Sequence, residues 1–115
     1  MKTVYKSCII LLLLAAVVHC GLTFFSYHQL EINAFWFWGT GLALLYAGLL
    51  NWINLVAPVP LVSRLVVLTN LLLALTLSGL AMQQPWPHII LLAGIAVGLL
   101  ACAWLWRGET SRQPL

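Results

Sequence analysis

Apolar residues fill four long runs of this chain, and short polar or proline-containing segments separate the runs. The runs cover residues 7–26, 34–56, 61–82 and 88–106. Each is close to the roughly 20 residues that a helix needs to cross the hydrocarbon core of a bilayer. Because unpaired backbone groups are costly in lipid, each run is predicted to be a transmembrane α-helix. The pattern predicts an all-α, integral membrane four-transmembrane-helix bundle, a single domain over 1–115 with a polar tail at 107–115.

Polar residues and prolines mark the three connections. Four polar residues lie at the first connection: His28, Gln29, Glu31 and Asn33. Pro58 and Pro60 break the pattern at the second connection, and residues 83–88 with two further prolines at the third. Proline lacks the N–H that a helix interior needs, so these positions favour the end of one helix and the start of the next.

The first run also has features of a signal peptide, because Lys2 and Lys6 precede an apolar core. Cleavage requires small residues of the Ala-x-Ala type. The sequence Val17-Val18-His19-Cys20 is a poor match to that pattern. The first run is therefore expected to be a retained helix.

The basic residues predict the orientation of the bundle. They are Lys2, Lys6, Arg64, Arg107 and Arg112. Lys2 and Lys6 lie before the first run, Arg64 lies beside the second connection at the start of the third run, and Arg107 and Arg112 follow the fourth run, whereas the first and third connections have none. Since cytoplasmic loops carry the excess of Lys and Arg, both termini are predicted to be cytoplasmic. A bacterial inner membrane is the expected location.

Composition supports lipid as the solvent of this chain. Hydrophobic residues make up 63% of the sequence and charged residues only 6%, against about 25% in soluble domains. The net charge of +3 comes from scattered basic residues, without the basic stripe that a nucleic-acid surface needs. Cys8, Cys20 and Cys102 form no metal-binding motif and are odd in number, so buried free thiols are expected, and no cofactor.

Small residues indicate where the helices pack on one another. Glycines at one helical face let two backbones approach closely. The candidates for such packing are Gly41, Gly48, Gly94 and Gly98. The last two form a Gly-x-x-x-Gly pair, which is common in membrane helices and favours packing without indicating any chemistry.

A few polar side chains fall inside the predicted spans. These are His19, Thr40, Asn51, Asn54 and Asn70. His19 and Thr40 lie at similar depth on adjacent helices, and so do Asn51 and Asn70, so both pairs are predicted to bond. His19 is the one ionisable group deep in the membrane. It is either a structural histidine or a group for proton transfer or ligand contact.

Three further polar residues lie at the outer rim of the predicted bundle. His28, Glu31 and His88 together offer two imidazoles and a carboxylate, a set that a divalent metal accepts. Their spacing matches no ligand motif, and polar residues in a loop are ordinary. We therefore predict neither a metal site nor a catalytic residue, and keep a rim site as an alternative.

These features favour a non-enzymatic membrane protein, an accessory or helix-packing subunit whose partners are the lipid bilayer and another membrane protein or a second copy. A small homodimeric transporter that uses His19 is the first alternative, with Trp36, Trp38 and Tyr46 as aromatic contacts for an apolar cation. A membrane enzyme or metal-binding protein that uses the rim residues is the second.

Overall fold

The chain folds into four α-helices. The computed structural model describes residues 1–29 and 31–110. The helices are α1 (Lys2–Ser26), α2 (Ile32–Val56), α3 (Pro60–Gln83) and α4 (Pro87–Thr110). All four are long and apolar enough to cross a membrane. This confirms the predicted all-α, four-helix architecture and indicates an integral membrane protein.

The helices extend beyond the apolar runs, mainly at the two termini. α1 begins at Lys2 rather than at residue 7, and α4 continues to Thr110 rather than to residue 106. An apolar run reports the part of a helix that suits the hydrocarbon core, whereas the helix itself can continue into the polar interface. Residues 107–110 are thus helical and not part of a tail. Residues 111–115 lie outside the described residues.

Proline begins two of the four helices. Pro60 occupies the first turn of α3, after the extended residue Val59, and Pro87 is the first residue of α4. The first helical position needs no backbone N–H, so proline fits there while it cannot continue the preceding helix. The predicted role of these prolines as boundaries is confirmed.

Two helical hairpins make up the bundle. α1 packs most closely on α2, and α3 on α4, while the α1–α4 and α2–α3 contacts join the two hairpins. Lys2, Lys6, Arg64 and Arg107 lie at the same end of this antiparallel bundle, which we call the basic end. The α1–α2 and α3–α4 connections form the opposite end.

One face of each helix supplies the core. The buried residues of α1 are Tyr5, Ile9, Leu12, Ala16 and Thr23. Those of α3 are Ser63, Val66, Asn70, Ala74 and Leu77. Their spacing of three, four or seven residues is that of a single helical face.

α1 and α2 approach closely at two glycines of α2. A Cβ atom added at Gly41 would lie 2.5 Å from Cys20 Sγ and 3.1 Å from the Cys20 backbone nitrogen. At Gly48 it would lie 2.5 Å from Leu13 Cδ2. The two helices can therefore reach this separation only where α2 lacks side chains.

The glycines of α4 behave differently. A Cβ at Gly94 would meet no atom within 4 Å, and one at Gly98 would reach only Cys8 Sγ, at 3.5 Å. The close approach expected at Gly94-x-x-x-Gly98 is therefore not made inside this chain. Gly94 instead lies on the exposed side of α4.

Gly41→Ala is expected to destabilise the bundle by about 1–3 kcal/mol, because the methyl group displaces the Cys20 side chain and crowds the Cys20 backbone nitrogen. Gly39→Ala is the matched control, since a Cβ there meets nothing within 4 Å and alanine is the better helix former. Unfolding in mild detergent titrated with SDS, followed by circular dichroism, measures both. Equal stability of the two variants would contradict the close approach at Gly41.

Candidate functional site

A cluster of buried polar side chains lies in the half of the bundle nearest the basic end. Its members, which we call the amide cluster, are Tyr5, Asn51, Asn54, Ser63 and Asn70. Four of them are completely inaccessible, and Ser63 is 3% exposed. α1, α2 and α3 all contribute side chains, so the cluster exists only when these helices are assembled.

The centre of the amide cluster is a reciprocal pair of asparagines. Asn51 Nδ2 donates to Asn70 Oδ1 at 2.8 Å, and Asn70 Nδ2 donates to Asn51 Oδ1 at 2.9 Å. The second proton of each amide binds a backbone carbonyl, that of Ala47 in α2 and that of Leu99 in α4. The pairing of Asn51 with Asn70 predicted from their depth is therefore confirmed, and α4 joins it through its backbone.

Tyr5 connects the asparagine pair to a second group of bonds. Its hydroxyl donates to Asn51 Oδ1 at 2.8 Å and accepts from Asn54 Nδ2 at 3.2 Å. Asn54 Oδ1 accepts from the Ser63 hydroxyl at 2.7 Å. Trp106 of α4 donates its indole N–H to the Asn54 carbonyl at 3.3 Å. Hydrogen bonds of this cluster thus reach all four helices.

This chemistry is suited to holding helices together rather than to catalysis. Asparagine amides neither donate nor accept protons as acids or bases near neutral pH. The Ser63 hydroxyl donates to an amide oxygen, which is not the base that a nucleophile requires. Since Asn51 uses both amide protons and accepts two bonds, it has no capacity left for a ligand.

His19 lies at the α1–α2 interface, on the other side of the bundle's midpoint. Its ring stacks on Phe37, with centroids 3.9 Å apart and planes 19° apart. Among the described residues, its buried Nε2 has no hydrogen-bond partner. The predicted bond with Thr40 is wrong, because Thr40 is exposed and its hydroxyl donates to the Trp36 carbonyl of its own helix.

The rim residues do not come together as a ligand set. His28 lies in the first connection, Glu31 is the N-cap of α2, and His88 is in the first turn of α4, where its ring lies 5.6 Å from that of Trp86. In the part of the chain that the structure describes, no group of three His, Cys, Asp or Glu residues could hold a metal ion. The geometry expected for the rim site is therefore not formed there.

Three residues in or next to the amide cluster are not predicted by the sequence analysis. Tyr5 was placed before the first span, although it continues the spacing of Ile9 and Leu12. Ser63 and Trp106 each lie close to the end of a predicted run, where the sequence pattern gives no sign of a buried hydrogen bond. The signal that could have found Tyr5 is its helical register with the apolar face of α1, extended one turn toward the N-terminus.

No model of a known protein family matches this chain, and no similar protein was found among curated sequences or solved structures. The class is therefore defined by the fold and the site alone. It is a polytopic α-helical protein apolar enough for a membrane, with its buried amides bonded to one another.

Asn51→Leu or Asn70→Leu is expected to destabilise the bundle by about 1–3 kcal/mol, because each removes both bonds of the pair and leaves part of the buried partner amide unsatisfied. The double variant should cost less than the sum, with a coupling of about 1 kcal/mol. SDS titration followed by circular dichroism measures the free energy of unfolding of the unsubstituted protein, the two single variants and the double variant, and the coupling follows from these four values.

Thr76→Val is the control on α3, since this exposed hydroxyl bonds only the Leu72 carbonyl of its own helix. It should leave stability unchanged and show no coupling to Asn51→Leu. Additive effects of the two asparagine substitutions on the free energy of unfolding would show that the bonds between Asn51 and Asn70 do not stabilise the bundle.

Proposed function

We propose that this protein is a non-enzymatic, helix-packing subunit of a membrane complex, and that its partner is another membrane protein or a second copy of the chain. The polar interior supports this proposal, because the amide cluster uses its own hydrogen-bonding groups and fixes the helices in one arrangement. A rigid bundle of this kind offers its apolar sides for association.

The observation that carries the proposal is an apolar groove on the outside of the α3–α4 hairpin. Seven residues line it: Val67, Leu71, Val97, Leu100, Ala101, Trp104 and Leu105. Its volume is about 550 Å³. All of these side chains are predominantly apolar, and Ala101 is a small, exposed residue among them.

The outward face of α4 extends this surface beyond the groove. Gly94 and Ala101 are two helical turns apart, and both are exposed. Small residues at this spacing allow a second helix to approach the backbone closely. Gly94 makes no close approach among the described residues, so it remains available to a partner helix, whereas Gly98 faces Cys8 of α1.

We further propose that the basic end faces the cytoplasm, and that the membrane is a bacterial inner membrane. Lys2, Lys6, Arg64 and Arg107 support this orientation, since cytoplasmic segments are enriched in Lys and Arg. A reporter protein that is active only in the cytoplasm tests it when fused after α4.

Ala101→Trp is expected to abolish the complex, because the indole fills the groove. Native mass spectrometry of tagged protein, extracted from its native membranes in mild detergent, should show a stoichiometric second subunit with the unsubstituted chain and none with Ala101→Trp. Val18→Trp is the control, because Val18 is exposed on α1 and does not line the groove.

A monomeric unsubstituted chain would overturn the subunit proposal. An Ala101→Trp variant that keeps its partner would show that association uses another surface. Whether the second subunit is a different protein or another copy follows directly from its mass.

One observation favours the second candidate, a small homodimeric transporter. Burial of an unpartnered nitrogen at His19 costs free energy, and a functional role is one of the explanations for such a group in a native structure. In this proposal His19 carries a proton or contacts an apolar cation.

His19→Phe separates the two candidates. Phenylalanine keeps the stacking on Phe37 and removes the unpaired Nε2, but it also removes the hydrogen bond of the imidazole to the Phe37 backbone, so a structural role predicts little net change in thermal stability in detergent. A transporter predicts that proteoliposomes of the unsubstituted protein move protons against a tetraphenylphosphonium gradient, measured with a pH-sensitive dye, and that His19→Phe stops this movement. Absence of proton movement with either protein would exclude this transport reaction.

A further inference from the structure

The opposite end of the bundle contains an aromatic pocket between α1 and α2. Four aromatic side chains line it: Phe24, Tyr27, Phe35 and Trp38. Its volume is about 240 Å³, below the roughly 300–1,000 Å³ of pockets that take drug-sized molecules. The pocket therefore suits a ligand group of the size of a lipid headgroup or a small organic ion.

Three of the four rings contact another aromatic ring. Phe24 and Trp38 meet edge to face, with centroids 6.5 Å apart and planes at 63°. Tyr27 packs on Phe37, with centroids 5.8 Å apart. Of the six tryptophans in the chain, Trp38 lines this pocket, whereas Trp36, two residues earlier, does not.

The charges at this end favour a cation. Every Lys and Arg that the structure describes lies at the basic end, and the one acidic residue near the pocket is Glu31, the N-cap of α2. α1 ends and α2 begins beside the pocket, so their opposing helix dipoles largely cancel. The electron-rich faces of the aromatic rings then give the pocket a preference for cations.

The lining distinguishes between kinds of cation. A primary ammonium has three N–H groups that need acceptors, whereas five of the eight lining residues are apolar or aromatic, and the other polar side chains are those of Thr23, His28 and Gln29. A quaternary ammonium has no N–H group, so it loses less hydration free energy when it leaves water, and it keeps its electrostatic attraction to the aromatic rings.

We infer that the aromatic pocket formed by Phe24, Tyr27, Phe35 and Trp38 binds a quaternary ammonium group. Its source is either a choline-type lipid headgroup or a free organic cation. The inference does not depend on the subunit proposal, because the pocket and the α3–α4 groove lie on different helices.

Choline is the probe, and 3,3-dimethyl-1-butanol, its neutral isostere of the same shape, is the chemical control. Saturation-transfer NMR on protein purified in a maltoside detergent should show saturable binding of choline and much weaker binding of the isostere. Trp38→Leu should weaken choline binding about threefold or more. Trp36→Leu should leave it unchanged.

Phe35→Leu is a second pocket variant, and its side chain is 57% exposed, so it tests the pocket even where Trp38→Leu does not fold. Equal binding of choline and the isostere would overturn the inference, and so would unchanged binding in both pocket variants. Displacement of choline by phosphatidylcholine in nanodiscs, but not by phosphatidylglycerol, would assign the lipid headgroup as the source. Choline binding that persists in both lipids would assign the free cation.

Discussion

The structure depends on satisfying buried amides where no water can reach them. An asparagine side chain has two donor protons and two acceptor sites, and in a membrane interior these must find protein partners. Asn51 and Asn70 meet this requirement by facing each other across α2 and α3. Any shift of one helix along the other breaks both bonds at once, so the pair fixes the register.

The location of this pair explains why it matters. Of the four neighbouring helix pairs, α2 and α3 share the smallest direct packing. They are also the pair joined by the Asn51–Asn70 bonds and by the bond from Ser63 to Asn54. Each interhelical hydrogen bond contributes on average only about 0.6 kcal/mol in a membrane. Their main effect is thus to specify one arrangement of the two hairpins.

The two ends of the bundle differ in how their polar groups are used. Near the basic end, Tyr5 and the asparagines bond to one another, and Trp106 ties α4 to α2. Toward the opposite end, His19 Nε2 is unpartnered and the aromatic pocket is open. The glycines differ in a similar way. Gly41 and Gly48 lie where α1 and α2 approach closely, whereas Gly94 makes no close contact among the described residues. Binding functions are therefore proposed for the pocket and for the outer side of the α3–α4 hairpin, and not for the amide cluster.

The sequence by itself determined the four helices. Apolar runs of membrane-spanning length and prolines at helix starts are local signals, so α2 and α3 end and begin within one or two residues of the prediction. Depth along antiparallel helices was enough to pair Asn51 with Asn70. It was not enough for His19 and Thr40, because equal depth does not fix the rotation of each helix about its axis. Only the tertiary structure decided that rotation, which turns Thr40 outward, brings Tyr5 into the amide cluster, and places Gly94 on the surface. The physical reason is that rotation is set by the packing of whole helical faces, to which residues far apart in the chain contribute together.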